Sequence, residues 1–393
     1  MKKKKLLIDV NSIVPYYVSG KVNGIGRTTL ELLQALADID NLPFEIELYS
    51  QNMKGIGGRN TGLHFECSHF YLPHREKWNK ILTKFPIREW LTGYDIMHIP
   101  HNFEYVHCPE KCIVTLHDAL FMHIQEKAFS HEKMKEIVPP FINQCKHIIT
   151  CSEYSKRDIV ETMKVDPQKI SVIYWGVKHE IFFPMQVSKE ILVNELPFPL
   201  RNTGYFLSVS CNNERKRTNV LVESYLQYSE CASPVNDLVL VWSNPPEELT
   251  EKISHSKVKD HIHFLSNISD KQLSLLYNGA TALFFPSMFE GFGLPLLEGM
   301  ACGTPIVTCR NSSLDEIGGE VVFYLSDPID KSIIEMLKMF DTDSVDCRQK
   351  VEAGIKRASL FTWERTAEQT VEVYNSCLTD SIRKIWVLRQ IWW

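Results

Sequence analysis

Two carboxylates, Glu290 and Glu298, flank a turn that reads Gly291-Phe-Gly-Leu-Pro295. Ionised carboxylates accept hydrogen bonds from sugar hydroxyls, and glycines let a backbone approach a ligand more closely than a Cβ would allow. Just upstream, Ala282 to Phe285 is a short apolar run of the kind a buried parallel strand shows. Pro295 suits the first turn of a helix, where its missing N–H costs nothing. The segment therefore predicts a strand, a glycine turn and a helix start whose N–H groups face an anion or a sugar oxygen. A phosphate-bearing substrate is the natural occupant. A second cluster, Arg215-Lys216-Arg217, follows another apolar run and opens a helix, where cations can hold phosphate oxygens. Taken alone, such a run more often means a solvated basic patch beside a helix start.

Two stretches of alternating short apolar strands and amphipathic helices must position these residues, the signature of parallel α/β sheets. In the first half the strand candidates are 6–10, 44–49, 96–99, 113–117, 147–151 and 170–174, with helices at 27–38, 131–145 and 152–163. The second half restarts with 205–209, then 238–242, 263–265, 282–285, 306–309 and 321–325. Residues 50–93 yield no clear element. A proline-bearing stretch without periodicity separates the halves. The expected organisation is a first domain at 1–185, a linker at 186–204, a second domain at 205–374, and a terminal helix at 375–393. Doubly wound domains facing across a cleft would bind ligands at the carboxyl ends of their strands.

The block Pro286-Ser-x-x-Glu290-Gly-Phe-Gly-Leu-Pro-x-x-Glu298-x-Met-Ala-Cys-Gly-Thr-Pro305 resembles that of the family 4 retaining glycosyltransferases, which have the GT-B fold of two Rossmann-like domains. The similarity extends to Cys151-Ser-Glu-Tyr-Ser-Lys-Arg-Asp158, to Val172-Ile-Tyr-Trp-Gly-Val177 and to Phe361-Thr-Trp-Glu-Arg-Thr-Ala367. The resemblance implies transfer of a hexose from a nucleoside-diphosphate sugar to a hydroxyl acceptor, with retention and without a metal or other cofactor. Mannose is the first expectation for the hexose. A glycan or lipid-linked glycan is the implied acceptor, in cell-surface polysaccharide or lipopolysaccharide synthesis.

The same resemblance distributes roles. Arg215 and Lys216 would hold the donor diphosphate, although Ser208-Val-Ser-Cys211 stands where a glycine is usual and Arg217 could share the task. Glu290 would contact the transferred hexose and Glu298 the ribose hydroxyls. The backbone N–H groups of Phe292, Gly293 and Leu294, after Gly291, would hold sugar hydroxyls and phosphate. His117, at a strand end, would sit beside the donor sugar and orient the acceptor. The family's usual account has the donor phosphate helping to deprotonate that acceptor. Gly24 and Gly26 resemble the family's glycine loop after the first strand, though a plain tight turn explains them as well. They are not a dinucleotide fingerprint, because Thr29 stands where its third glycine or alanine belongs. His101 and His123 have no such support and read as ordinary.

Bulk properties bound the alternatives. A net charge of −5 argues against nucleic acid as a partner. Eleven cysteines without a C-x-x-C pair read as reduced thiols of a cytoplasmic protein rather than as a disulfide or zinc framework. No apolar run is long enough to span a bilayer. The terminal stretch 382–393 interleaves Arg383, Lys384 and Arg389 with apolar residues and tryptophans. It is read either as docking on the first domain or as resting on an anionic membrane. A nucleotide-sugar epimerase and a non-catalytic scaffolding subunit of a polysaccharide assembly complex are the rival readings.

Overall fold

The computed structural model describes residues 3–14, 24–52, 62–72, 75–123, 129–196, 204–211, 213–232, 235–341 and 347–379. They form two compact units, each built on one parallel sheet. The first sheet contains β1 (Lys4–Asp9), β2 (Phe44–Asn52), β3 (Glu66–Tyr71), β4 (Ile96–Ile99), β5 (Cys112–Thr115), β6 (His147–Thr150) and β7 (Ile170–Val172). Their order is β3-β2-β1-β4-β5-β6-β7. The second contains β8 (Tyr205–Val209), β9 (Asp237–Val241), β10 (Ile262–Leu265), β11 (Ala282–Phe285), β12 (Ile306–Cys309) and β13 (Phe323–Leu325), in the order β10-β9-β8-β11-β12-β13. The strands are apolar because helices cover both faces of such a sheet. Leu6, Leu7, Val114 and Phe284 have no exposed surface.

The chain reverses its direction of travel across each sheet at one place, between β1 and β4 in the first and between β8 and β11 in the second. These switch points leave a crevice outside the carboxyl ends of the strands. Arg215, Lys216 and Glu290 all follow β8 or β11, while Asp9 ends β1 and His101 follows β4.

Three expectations are corrected. The first unit ends at Gly176, not at 185, because 177–196 packs on the second unit. There Ser274 Oγ donates to the Ile181 carbonyl at 2.6 Å, Asn278 Oδ1 accepts from the Met185 N–H at 2.7 Å, and Phe182 meets the Tyr277 ring edge-on. The expected linker also contains a helix, Lys189–Glu195, capped by Ser188. The helix Trp363–Thr379 belongs to the first unit although its chain position suggested the second. Tyr374 is the reason: it is fully buried, its ring packs edge-on against Phe44, and its hydroxyl meets His98 Nδ1 at 2.6 Å. Residues 380–393, and with them the basic aromatic terminus, lie outside the described residues.

The stretch 50–93 holds β3 and the helices Arg75–Lys84 and Ile87–Thr92. As an edge strand, β3 needs no continuous apolar run. Its polar side chains instead bond those of β2, with Ser50 Oγ and His69 Nδ1 at 2.7 Å. No disulfide joins the cysteines. No helix among the described residues is long and apolar enough to cross a membrane.

Candidate active site

β11 ends at Phe285, and the chain turns through Ser287–Gly293 into the helix Leu294–Cys302. Gly293 makes the turn possible. It caps the helix at φ 102°, a backbone conformation that residues with a Cβ rarely adopt, and an added Cβ would stand 2.9 Å from Leu314 Cδ2. Pro295 occupies the first turn as its sequence position suggested.

Glu290 sits in that turn and is only 8 % exposed. Its Oε1 is 2.6 Å from Lys216 Nζ, 2.8 Å from Arg215 Nη1, and accepts a hydrogen bond from Ser287 Oγ at 2.6 Å. Its backbone is pinned as well, since its N–H donates to Ser312 Oγ at 3.1 Å and its carbonyl accepts from Ser313 Oγ at 2.8 Å. Both cations come from a single turn of 3₁₀ helix, Glu214–Lys216, directly after β8. Asn213 starts this turn by accepting from the Arg215 N–H at 3.1 Å.

The two loops are stitched together by one backbone bond and one from a side chain. The Met288 N–H donates to the Arg215 carbonyl at 2.7 Å, and Arg215 Nη1 donates to the Phe289 carbonyl at 2.6 Å. Lys216 Nζ lies 4.7 Å from the centre of the Phe285 ring, so the ammonium is held by a carboxylate and by an aromatic face. Two cations against one carboxylate leave the cluster with a single positive charge. Sheltered from water beside a helix N-terminus, such a cluster favours an anion.

Arg217 has a different place. It adopts the left-handed conformation at φ 51° ahead of the helix Thr218–Ser229, and its guanidinium lies against Cys309, whose thiol pKa burial raises and Arg217 only partly offsets.

Glu298 lies inside the helix rather than at its start and is 3 % exposed. The Tyr277 hydroxyl donates to its Oε2 at 2.9 Å. The turn Gly291–Leu294 thus meets the Arg215–Lys216 pair through Glu290, whereas Glu298 is positioned independently by Tyr277.

In the first unit, His117 follows β5 and is partly exposed, with Nε2 3.3 Å from the Pro100 carbonyl and its ring 5.7 Å from that of Trp175. Burial of the imidazole, helped by the charge of His101, pushes its pKa down to about 4, so it is neutral near pH 7 and able to donate or accept a hydrogen bond. Gly24 and Gly26 are not in a loop. They form the first turn of the helix Gly24–Ala37, and 15–23 lies outside the described residues.

Sequence reasoning missed Ser287, Ser312, Ser313 and Tyr277, whose parts depend on chain segments meeting. Only the Pro286-Ser287 pair stood inside the motif that was read.

The comparisons with known proteins fit this geometry. The profile described as Glycosyltransferase Family 4 matches residues 22–181, and that described as Glycosyl transferases group 1 matches 198–342. The chain belongs to glycosyltransferase family 4. This glycosyltransferase is 26 % identical over 384 residues to O-antigen chain mannosyltransferase B of Escherichia coli, covering 90 % of this chain and 96 % of that one. It is 29 % identical over 244 residues to the MMP alpha-(1->4)-mannosyltransferase of Mycolicibacterium hassiacum, covering 60 % of this chain and 55 % of the relative. Among solved structures, Anabaena HepE in complex with UDP-glucose superposes with a TM-score of 0.74 at 17 % identity, covering 95 % of this chain and 99 % of its own. WaaG, a glycosyltransferase involved in lipopolysaccharide biosynthesis, gives 0.71 at 16 %, covering 94 % and 99 %. These superpositions identify the GT-B fold.

Proposed function

We propose that this glycosyltransferase moves mannose from a nucleoside-diphosphate sugar to a hydroxyl of a cell-surface glycan or its lipid-linked precursor, retaining the anomeric configuration and needing no metal. The observation that carries the reading is the meeting of Arg215, Lys216 and Glu290 at the N-terminus of the helix Leu294–Cys302. Its net positive charge suits a departing diphosphate, the task a metal performs elsewhere. Glu290, already bound to both cations, is suited to a hydroxyl of the sugar attached to that diphosphate. Glu298, oriented by Tyr277, is suited to ribose hydroxyls. The neutral His117 is suited to a hydroxyl of the donor sugar or of the acceptor. The names of the E. coli and M. hassiacum relatives favour mannose. Cysteines outside any disulfide favour the cytoplasm, and the reading adds peripheral access to the membrane face where such glycans grow.

The test is a thermal-shift series with GDP, UDP, dTDP and their sugars, with and without magnesium, followed by product analysis with and without acceptor. At ~100 times its dissociation constant a specific nucleotide adds about 2.7 kcal/mol to stability. A shift with GDP and GDP-mannose that magnesium leaves unchanged supports the proposal. A shift that requires magnesium overturns the metal-free site, one confined to another base overturns the donor, and free sugar released without any acceptor requirement points to an epimerase.

A further inference from the structure

A third loop reaches the Glu290 turn. β12 lies on one side of β11 and β8 on the other, so the loops that follow these three strands leave the sheet next to one another. The loop after β8 supplies Arg215 and Lys216, and the loop after β11 supplies Glu290. The loop after β12, Asn311-Ser312-Ser313, carries no charge, and its side chains are spent on the Glu290 turn.

Four hydrogen bonds close a ring there. The Glu290 N–H donates to Ser312 Oγ at 3.1 Å, and Ser312 Oγ donates to Asn311 Oδ1 at 3.1 Å. Asn311 Nδ2 donates to the Ser287 carbonyl at 3.3 Å, and Ser287 Oγ donates to Glu290 Oε1 at 2.6 Å. The ring thus holds Glu290 by its backbone and by its carboxylate at once. Ser313 Oγ, on a side chain without exposed surface, adds bonds to the carbonyls of Glu290 and Phe292 at 2.8 and 3.0 Å. The peptide planes on both sides of Glu290 are fixed by these contacts, and with them the direction of its Cα–Cβ bond.

The helix Ser312–Gly318 gains nothing from this arrangement. Asn311 stands at its N-cap, and asparagine is among the best capping residues, yet its side chain makes no cap bond. Ser312 sits at φ 47°, in the left-handed region that a residue with a Cβ enters at a cost. A cap forgone and a strained backbone both oppose local folding. Their result is that Ser312 Oγ faces the Glu290 N–H and Asn311 faces Ser287.

We propose that Ser312 is a positioning residue for Glu290, held in its strained conformation so that the carboxylate stays in register with Lys216 and Arg215 while the diphosphate departs from the sugar. The inference rests on the glycosyl-transfer reading, in which Glu290 meets that sugar. Because Ser312 acts through Glu290, its loss lowers kcat and leaves nucleotide binding to Arg215, Lys216 and Glu298.

Three substitutions in the full-length protein separate positioning from folding. Ser312→Gly removes the hydroxyl and the strain together, and Ser312→Ala removes the hydroxyl alone. Ser312→Thr keeps the hydroxyl but adds a β-branch that resists φ 47°. The measurements are GDP release from GDP-mannose with methyl α-D-mannopyranoside as acceptor, the dissociation constant of GDP, and the thermal midpoint. Ser312→Gly is expected to melt close to the parent, since the strain it relieves offsets the bond it loses, and to bind GDP as the parent does. Its kcat is expected to fall about 10- to 100-fold, the scale for a slight misplacement of a reacting group. Ser312→Ala is expected to share that loss with a lower midpoint, and Ser312→Thr to melt lower while keeping most of the parent's kcat. A near-parental kcat in Ser312→Gly overturns the proposal. So does a kcat that follows the thermal midpoint across the three variants, or a GDP affinity that falls with kcat. A parent that releases GDP from no GDP-mannose strikes the donor, and the variants are then read with the sugar nucleotide that shifts the melt. A parent active on none of these nucleotides overturns the glycosyl-transfer reading and this inference with it.

Discussion

The Lys216 ammonium and the Glu290 carboxylate meet at 2.6 Å, one carried by the loop after β8 and the other by the loop after β11. Neither is a bystander at a solvated surface, since Lys216 is also seated on the Phe285 ring. Removing either leaves the other with its charge partly uncompensated. Lys216→Ala and Glu290→Gln are therefore each expected to lower turnover by at least ~100-fold, the scale for loss of a charge-stabilising group. Steady-state transfer assays on the purified variants check this, and near-normal turnover in both would sink the assignment.

Gly293→Ala tests the turn that aims the helix N-terminus. A side chain at φ 102° costs about 1–3 kcal/mol, and the new methyl must also displace Leu314. Both lower stability and a raised donor KM are expected. Denaturant melts and kinetics report them separately, and a variant as stable as the parent with unchanged KM would refute the argument.

Acid should destabilise the first unit in a defined window. Burial pushes His98 down to about 3 and both His117 and His147 to about 4. The unfolded chain takes up protons at these positions near pH 6.5, whereas the folded chain resists until pH 3–4. Stability is thus highest above pH 6.5 and falls as the pH drops toward 4, by at most about 1.4 kcal/mol per pH unit for each histidine. Urea melts at several pH values measure the slope, and His147→Gln should flatten it. An unchanged slope would show that His147 titrates normally.

Tyr374 anchors the last described helix. Tyr374→Phe keeps the ring but takes a partner from the buried His98 Nδ1, at a cost of about 1–3 kcal/mol. Tyr374→Ala also opens a cavity, and about 3–5 kcal/mol is expected. Calorimetric melts of both variants distinguish the two contributions. Equal losses would mean that the hydroxyl, not the packing, carries the anchor.

The sequence was most legible where one short segment contains its own physics. The run Ala282–Phe285, the glycines and Pro295 told of a strand, a turn and a helix start because each residue type has a local conformational meaning. Arg215 and Lys216 could be named, but their convergence on one oxygen of Glu290 could not be read from spacing, since two distant loops make it. The edge strand β3 escaped because it is half polar. The domain boundary was misplaced because prolines and missing periodicity mark irregular chain, not which body that chain packs against.

The return of Trp363–Thr379 to the first unit has a consequence for synthesis. The second unit is an insert, bounded by Gly176 before it and Trp363 after it. A ribosome therefore releases all of Val177–Thr362 before it makes the tyrosine that closes over His98. Until then the first sheet exists with an unfilled groove beside Phe44, and a nascent chain stalled anywhere in the insert exposes that groove. Truncations just short of residue 374 should accordingly fail in the half of the protein furthest from the cut in sequence.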